Sequence, residues 1–121
     1  MRCLIADDSA SFREAASRML EHAGITVVGG ASNSAEALRS CARLRPDVVL
    51  VDIDLGGESG FELTEQLHRL GAPPAPVILI STYAEQDYAE EIAASPAVGF
   101  LPKECLSAVA IGDLLHSPKS S

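Results

Sequence analysis

Five short apolar runs alternate along this chain with stretches of helical period, and that alternation limits the fold more than any other feature. Cys3 to Ala6 stops at Asp7 and Asp8, and Ile25 to Val28 stops at Gly29 and Gly30. Val48 to Val51 stops at Asp52, Val77 to Ile80 at Ser81, and Ala97 to Leu101 at Pro102 and Lys103. Unbroken β-branched runs of this length fit interior strands of a parallel sheet, which are covered on both faces. Strand and helix repeated five times argue an α/β fold, a doubly wound five-stranded parallel (βα)5 sheet. Right-handed crossovers then bring every strand's C-terminal end to one edge, where open sheets of this kind bind ligands. Asp7, Asp8, Asp52, Ser81 and Lys103 are therefore expected to meet there.

The helical stretches carry their own punctuation. Phe12, Ala15, Ala16, Met19, Leu20 and Ala23 fall on one helix face. Ser11 with Glu14 forms a capping box before them, or Ser9 caps slightly earlier, and Gly24 stops the helix. Asn33 with Glu36 starts a second helix whose apolar face is Leu38, Cys41 and Ala42, ended by Pro46. Gly56 and Gly57 open a loop, and Ser59 with Glu62 starts a third helix running to about Leu70. Gly71 and the prolines at 73, 74 and 76 predict a stiff loop. A strongly acidic helix is expected over Glu85 to Ala94, ended by Ser95 and Pro96, and a last one over Leu106 to Leu115, weakened at Gly112 by about 1 kcal/mol relative to Ala. The expected division is a domain over 1–116 with a loose tail, or the start of a linker, over 117–121.

With 121 residues the chain fits one domain with one real core. A net charge of −8 and the lack of Trp argue against direct nucleic-acid binding, for which a basic face or a stacking platform is needed. The start resembles no signal peptide, and no run reaches the ~18 apolar residues of a membrane span. Cys3, Cys41 and Cys105 suit reduced apolar fillers in a cytoplasmic protein, and His22, His68 and His116 are too scattered for a metal cluster.

Three carboxylates gathered at one edge repel unless a cation joins them. Oxygen ligands without Cys or His favour a hard ion, and Mg²⁺ is the natural candidate. One of Asp7 and Asp8 would ligate it directly and the other through water, with a backbone carbonyl just past Asp52 completing the set. Asp52 can then attack phosphorus as a nucleophile, forming an acyl phosphate. Lys103 supplies a second cation and the Ser81 hydroxyl a donor, which is what phosphoryl transfer asks of a protein. Each residue also has a plain structural reading: Asp7 and Asp8 as a cap, Ser81 as a loop hydroxyl, Lys103 as a solvated lysine. Four strand ends carrying them together outweigh those readings.

At these motifs the chain resembles a response-regulator receiver domain, similar to the bacterial chemotaxis response regulator, from about Arg2 to Leu115. The matching pieces are LIADD, VVLVDIDLGGESG, VILIST and GFLPK, in that order. The resemblance implies a flavodoxin-like strand order 2-1-3-4-5. It implies that Asp52 accepts a phosphoryl group from a phosphohistidine on a sensor histidine kinase or phosphotransfer protein. Asp8 would ligate Mg²⁺ directly and Asp7 through water, beside Asp52 and the backbone carbonyl of Asp54. Ser81 and Lys103 would hold phosphoryl oxygens. Phe100 stands where the family keeps its switch aromatic; it would rotate as Ser81 moves and alter the surface of the fourth helix, fifth strand and fifth helix. A core-packing role for Phe100 is the alternative.

The chain departs from the commonest family pattern in places. Gly56 and Gly57 replace a frequent Met-Pro and imply a more mobile loop. Glu104 follows Lys103 where Pro is common, putting the peptide geometry there in question, and Thr82 adds bulk near Asp52. Asp54 and Tyr83 lie where the family tunes phosphoryl lifetime. The start, IADDSASFREA, resembles receivers joined to helix-turn-helix output domains of nitrate/nodulation-type regulators, which implies control of transcription and leaves open a homodimer on phosphorylation. Two other readings compete: a haloacid-dehalogenase-like phosphatase using Asp52 and Asp54, and a receiver-like binding module that is never phosphorylated.

Overall fold

Val48 to Asp52 and Val77 to Ser81 are buried along their whole length, as strands covered on both faces must be. They form the centre of a sheet in a computed structural model that describes residues 1–71 and 75–117. In chain order the elements are β1 (Arg2–Ala6), α1 (Ala10–His22), β2 (Thr26–Ala31), α2 (Ser34–Leu44) and β3 (Val48–Asp52). A hairpin of β4 (Asp54–Leu55) and β5 (Glu58–Ser59) precedes α3 (Gly60–Leu70). Then come β6 (Val77–Ser81), α4 (Ala89–Ala94), β7 (Gly99–Pro102) and α5 (Ala108–His116).

The main sheet is five-stranded in the order β2-β1-β3-β6-β7, all parallel. Set the small hairpin aside and this is the expected 2-1-3-4-5 order, a doubly wound α/β fold. Alternate strand residues feed two cores. Leu4, Val49, Val51 and Leu79 pack with Ala37 of α2, Leu63 and Leu67 of α3 and Ile92 of α4. Cys3, Ile5, Leu50, Ile78 and Ile80 pack on the other face with Ala16 and Leu20 of α1 and Ile111 of α5. Each fully buried Leu or Ile contributes about 1.5–3 kcal/mol relative to exposure.

Several boundaries differ from the sequence reading, each for a physical reason. β2 continues through Gly29 and Gly30 to Ala31, because its partner β1 supplies the ladder whatever the side chains are. Ser9 is the cap of α1, accepting from the Phe12 N–H, while Ala15, Met19 and Ala23 are exposed. α1 meets the sheet through the single ridge of Phe12, Ala16 and Leu20, so positions beside that ridge fall on the rim. In α2, Ala37 is buried while Ala42 is exposed, and the chain leaves the helix at Arg45 in the left-handed region (φ 48°). The acidic helix begins as a 3-10 turn over Glu85–Tyr88, leaving α4 only Ala89–Ala94. Another 3-10 turn, Lys103–Cys105, delays α5 until Ser107 caps it. β7 starts two residues later than expected, at Gly99.

The segment expected to open as a Gly loop forms the hairpin β4–β5, pairing Asp54 with Ser59 and Leu55 with Glu58. Gly56 (φ 59°) and Gly57 (φ 96°) both adopt positive φ, the requirement of a two-residue type I′ turn. The stiff turn expected at prolines 73 and 74 and the tail from 118 to 121 lie outside the described residues.

Candidate functional site

β1, β3, β6 and β7 end on the same sheet edge and deliver the predicted residues together. Asp7 is fully buried, Asp52 and Ser81 nearly so, and Asp8 is exposed. One carboxylate oxygen from each of Asp7, Asp8 and Asp52 lies within 4.8 Å of the others. Lys103 leaves β7 through the 3-10 turn and places Nζ 2.6 Å from Asp7 Oδ2 and 2.8 Å from Asp52 Oδ2. Glu104 and Pro102 beside it do not keep it from the carboxylates.

Each acid is held by local backbone. The Ser9 N–H donates to Asp7 Oδ1 at 2.9 Å, and the Asp54 N–H donates to Asp52 Oδ1 at 3.0 Å. The second contact fixes the rotation of the Asp52 carboxylate and leaves Oδ2 for Lys103. Ser81 Oγ accepts from the Tyr83 N–H at 3.0 Å, so its own proton is free to point elsewhere. Thr82 and Tyr83 are exposed at the rim. Phe100 is buried in the core with Ile92, Ala97 and Tyr88.

Asp54 contributes differently from the other acids. Its carboxylate turns into the hairpin, where Oδ1 accepts from the Gly57 N–H at 3.0 Å, and it is not part of the acid cluster. A phosphatase that needs this carboxylate as acid/base finds it already engaged and exposed.

Burial pushes the Asp52 carboxyl up; the Lys103 hydrogen bond and the Asp54 N–H pull it back, Asp7 adds to the rise, and the net shift is upward. Burial pulls the Lys103 ammonium down, but the Asp52 and Asp7 carboxylates beside it outweigh that, and its pKa rises. Asp7 Oδ2, fully buried, has the Lys103 charge close by but no hydrogen bond of good geometry. An incompletely satisfied buried oxygen facing two further carboxylates is a donor set that a hard divalent cation fits, and Mg²⁺ meets that description.

Two contacts that shape the site were not read from the sequence. Arg13 Nη1 donates to the carbonyl of Asp7 and braces the loop that carries both N-terminal acids. Glu58 Oε1 accepts from the Ser34 N–H at 2.8 Å, tying the hairpin to the start of α2. The first could have been suspected from an Arg one turn into the helix after the paired acids; nothing local in the sequence announces the second.

Gly60 seats α3 directly on the end of β3. Its N–H donates to the Ile53 carbonyl at 2.7 Å, and a Cβ there would lie 2.0 Å from the backbone oxygen of Asp52. Backbone must move to admit it, so Gly60→Ala is expected to destabilise the protein by about 2–3 kcal/mol. Urea unfolding would read the loss; a midpoint equal to wild type would contradict it.

Acids and a lysine gathered at the carboxyl edge of a doubly wound sheet define a receiver-type protein. The family model for the response regulator receiver domain matches residues 3–112, and the chain belongs to that family. It is 36% identical over 106 residues to a protein-glutamate methylesterase/protein-glutamine glutaminase of Alkalilimnicola ehrlichii, covering 85% of this chain and 27% of that one. It is 33% identical over 105 residues to the uncharacterized transcriptional regulatory protein YvfU of Bacillus subtilis, covering 86% of this chain and 52% of that one. The chain thus spans between about a quarter and a half of these relatives. A crystal structure of a Burkholderia pseudomallei response regulator with a phosphorylated aspartic acid, calcium ion and citrate superposes with TM-score 0.79 at 26% identity, over 98% of this chain and 66% of that one. No helix among the described residues is long and apolar enough to cross a membrane.

Proposed function

We propose that the chain accepts a phosphoryl group on Asp52, in a Mg²⁺-dependent step, from a phosphohistidine of a sensor histidine kinase or phosphotransfer protein. The observation that carries this is Lys103 bridging Asp52 and Asp7 with the Asp8 carboxylate beside them. That is a buried nucleophile surrounded by the charges phosphoryl transfer needs. The Burkholderia pseudomallei response regulator, solved with a phosphorylated aspartic acid and a calcium ion, supports the same reading.

Asp8 directly, Asp7 through water, Asp52 and the Asp54 backbone carbonyl would hold Mg²⁺, which when bound neutralises charge on the transferring group. A carboxylate oxygen of Asp52 forms the new bond to phosphorus while the phosphorus–nitrogen bond of the donor breaks, leaving imidazole. The Asp54 N–H holds the attacking carboxylate in place. Lys103 and the Ser81 hydroxyl take phosphoryl oxygens. Hydrolysis of the acyl phosphate returns the carboxylate and inorganic phosphate.

Drawing Ser81 toward the phosphoryl group frees space beside β7, and Phe100 turns into it. The surface of α4, β7 and α5 then changes for an output domain or a second copy. Such a switch works in the cytoplasm, and the name of the Bacillus subtilis relative favours an output that controls transcription. The Alkalilimnicola ehrlichii relative makes a methylesterase-type output the second reading.

The test is incubation with Mg²⁺ and acetyl phosphate, followed by intact mass and peptide mapping. One added phosphoryl group, mapped to Asp52 and prevented by a chelator, is the expected result. No mass gain with Mg²⁺ present would refute the proposal.

A further inference from the structure

We propose that the ring of Phe12 is a positioning residue for Lys103, holding its ammonium at the site while the carboxylates exchange one cation for another. The inference rests on the phosphoacceptor reading for its purpose, but its geometry stands independently. Lys103 Nζ lies 4.4 Å from the centre of the Phe12 ring, on top of its contacts with Asp7 and Asp52. A cation over an aromatic face at this distance is attracted by the ring quadrupole, more strongly where water is excluded.

The ring is placed by the same residue that places Asp7. Ser9 donates its N–H to Asp7 Oδ1 at 2.9 Å and accepts the Phe12 N–H on Oγ at 3.2 Å. Asp7 and Phe12 are thereby fixed to each other across the cap of α1, and the ring packs on the α1–α5 side of the core. Lys103, arriving from the far end of the sheet, meets both.

The ring matters because of what happens to the other partners. A divalent cation among Asp7, Asp8 and Asp52 competes with Lys103 for two of the three groups that hold it. A phosphoryl group on Asp52 changes the second again. Phe12 is the partner that neither event occupies. It keeps a long, four-bond side chain aimed at the phosphoryl position instead of releasing it to solvent, where its rotamer freedom would have to be lost again at each turnover.

The test uses Phe12→Leu, which keeps apolar volume without a π face, and Phe12→Tyr, which keeps the face. With saturating Mg²⁺ and acetyl phosphate, Phe12→Leu is expected to lower the rate of uptake about three- to tenfold, and Phe12→Tyr to stay within about twofold. A second readout needs no phosphoryl transfer. In a metal-free unfolding cycle, Phe12→Leu should lower the folded-to-unfolded ratio about three- to tenfold more in wild type than in the Lys103→Met background. Equal losses in the two backgrounds, or a Phe12→Tyr as slow as Phe12→Leu, would overturn the proposal. A wild type that takes up no phosphoryl group would instead refute the proposed function, with the unfolding cycle still deciding the role of the ring.

Discussion

Asp52→Asn is expected to abolish phosphoryl uptake and to flatten the pH dependence of stability in the metal-free protein. The first effect follows from the proposed role of Asp52 as nucleophile: Asp7 is occupied by the Ser9 N–H and Lys103, and Asp8 is exposed at the rim, so no second carboxylate is presented in its place. The second follows from burial. Burial raises the Asp52 carboxyl from its ordinary value, so the fold favours its protonated form. That contribution is complete below the unfolded value and is lost as pH rises through the folded one. At neutral pH wild type carries the loss and the Asn variant does not. The stability of the variant relative to wild type should therefore climb from the ordinary carboxylate range upward and then level off. Parallel stability curves across that range would show that Asp52 is not strained by its burial. The absolute gain is limited, because one amide cannot accept from both the Asp54 N–H and Lys103 as the carboxylate does.

Lys103→Met is the second large effect, and it runs the other way. The lysine holds two buried carboxylates apart from each other's charge, and its side chain is only 14% exposed. Removing it takes away the ion pair of Asp7 Oδ2 and leaves that oxygen without a hydrogen-bond partner among the described residues, with Asp7 facing Asp52. A loss of about 2–4 kcal/mol at neutral pH is expected without metal, toward the low end because the site opens to solvent at Asp8. The pKa of Lys103 is raised, so its contribution is present below the ordinary lysine value and fades only as pH rises through the folded one. Mg²⁺ should restore much of the stability, since a divalent cation meets the same carboxylates. It should not restore the rate: uptake from acetyl phosphate should remain about a hundredfold or more below wild type, because the cation on the phosphoryl side is missing. Full recovery of the rate with Mg²⁺ would mean that Lys103 serves the fold and not the transfer.

How much of this was legible in the sequence depended on which forces set each feature. The buried runs at Val48 and Val77 identified themselves, because a strand covered on both faces has no choice but to be apolar. From those runs the sheet, the shared edge and the meeting of Asp7, Asp8, Asp52, Ser81 and Lys103 followed from chain geometry. Features decided by tertiary partners did not show. Gly29 and Gly30 looked like a strand's end, yet β1 carries the ladder past them. The β4–β5 pair is too short for any periodicity, although Gly-Gly between Leu55 and Glu58 is a hairpin signal that could have been weighed. Phe12 was placed on the right helix, but nothing in helical period says that its ring would meet a lysine from ninety-one positions along the chain.

The tie between Glu58 and the Ser34 amide has a mechanical consequence. The short hairpin that follows β3 is moored at its far side to the leading turn of α2, so a movement of the hairpin is shared with that helix rather than spent in slack chain. A displacement of the hairpin would therefore reach α2 as well as α3, whose first residue Gly60 follows β5 directly.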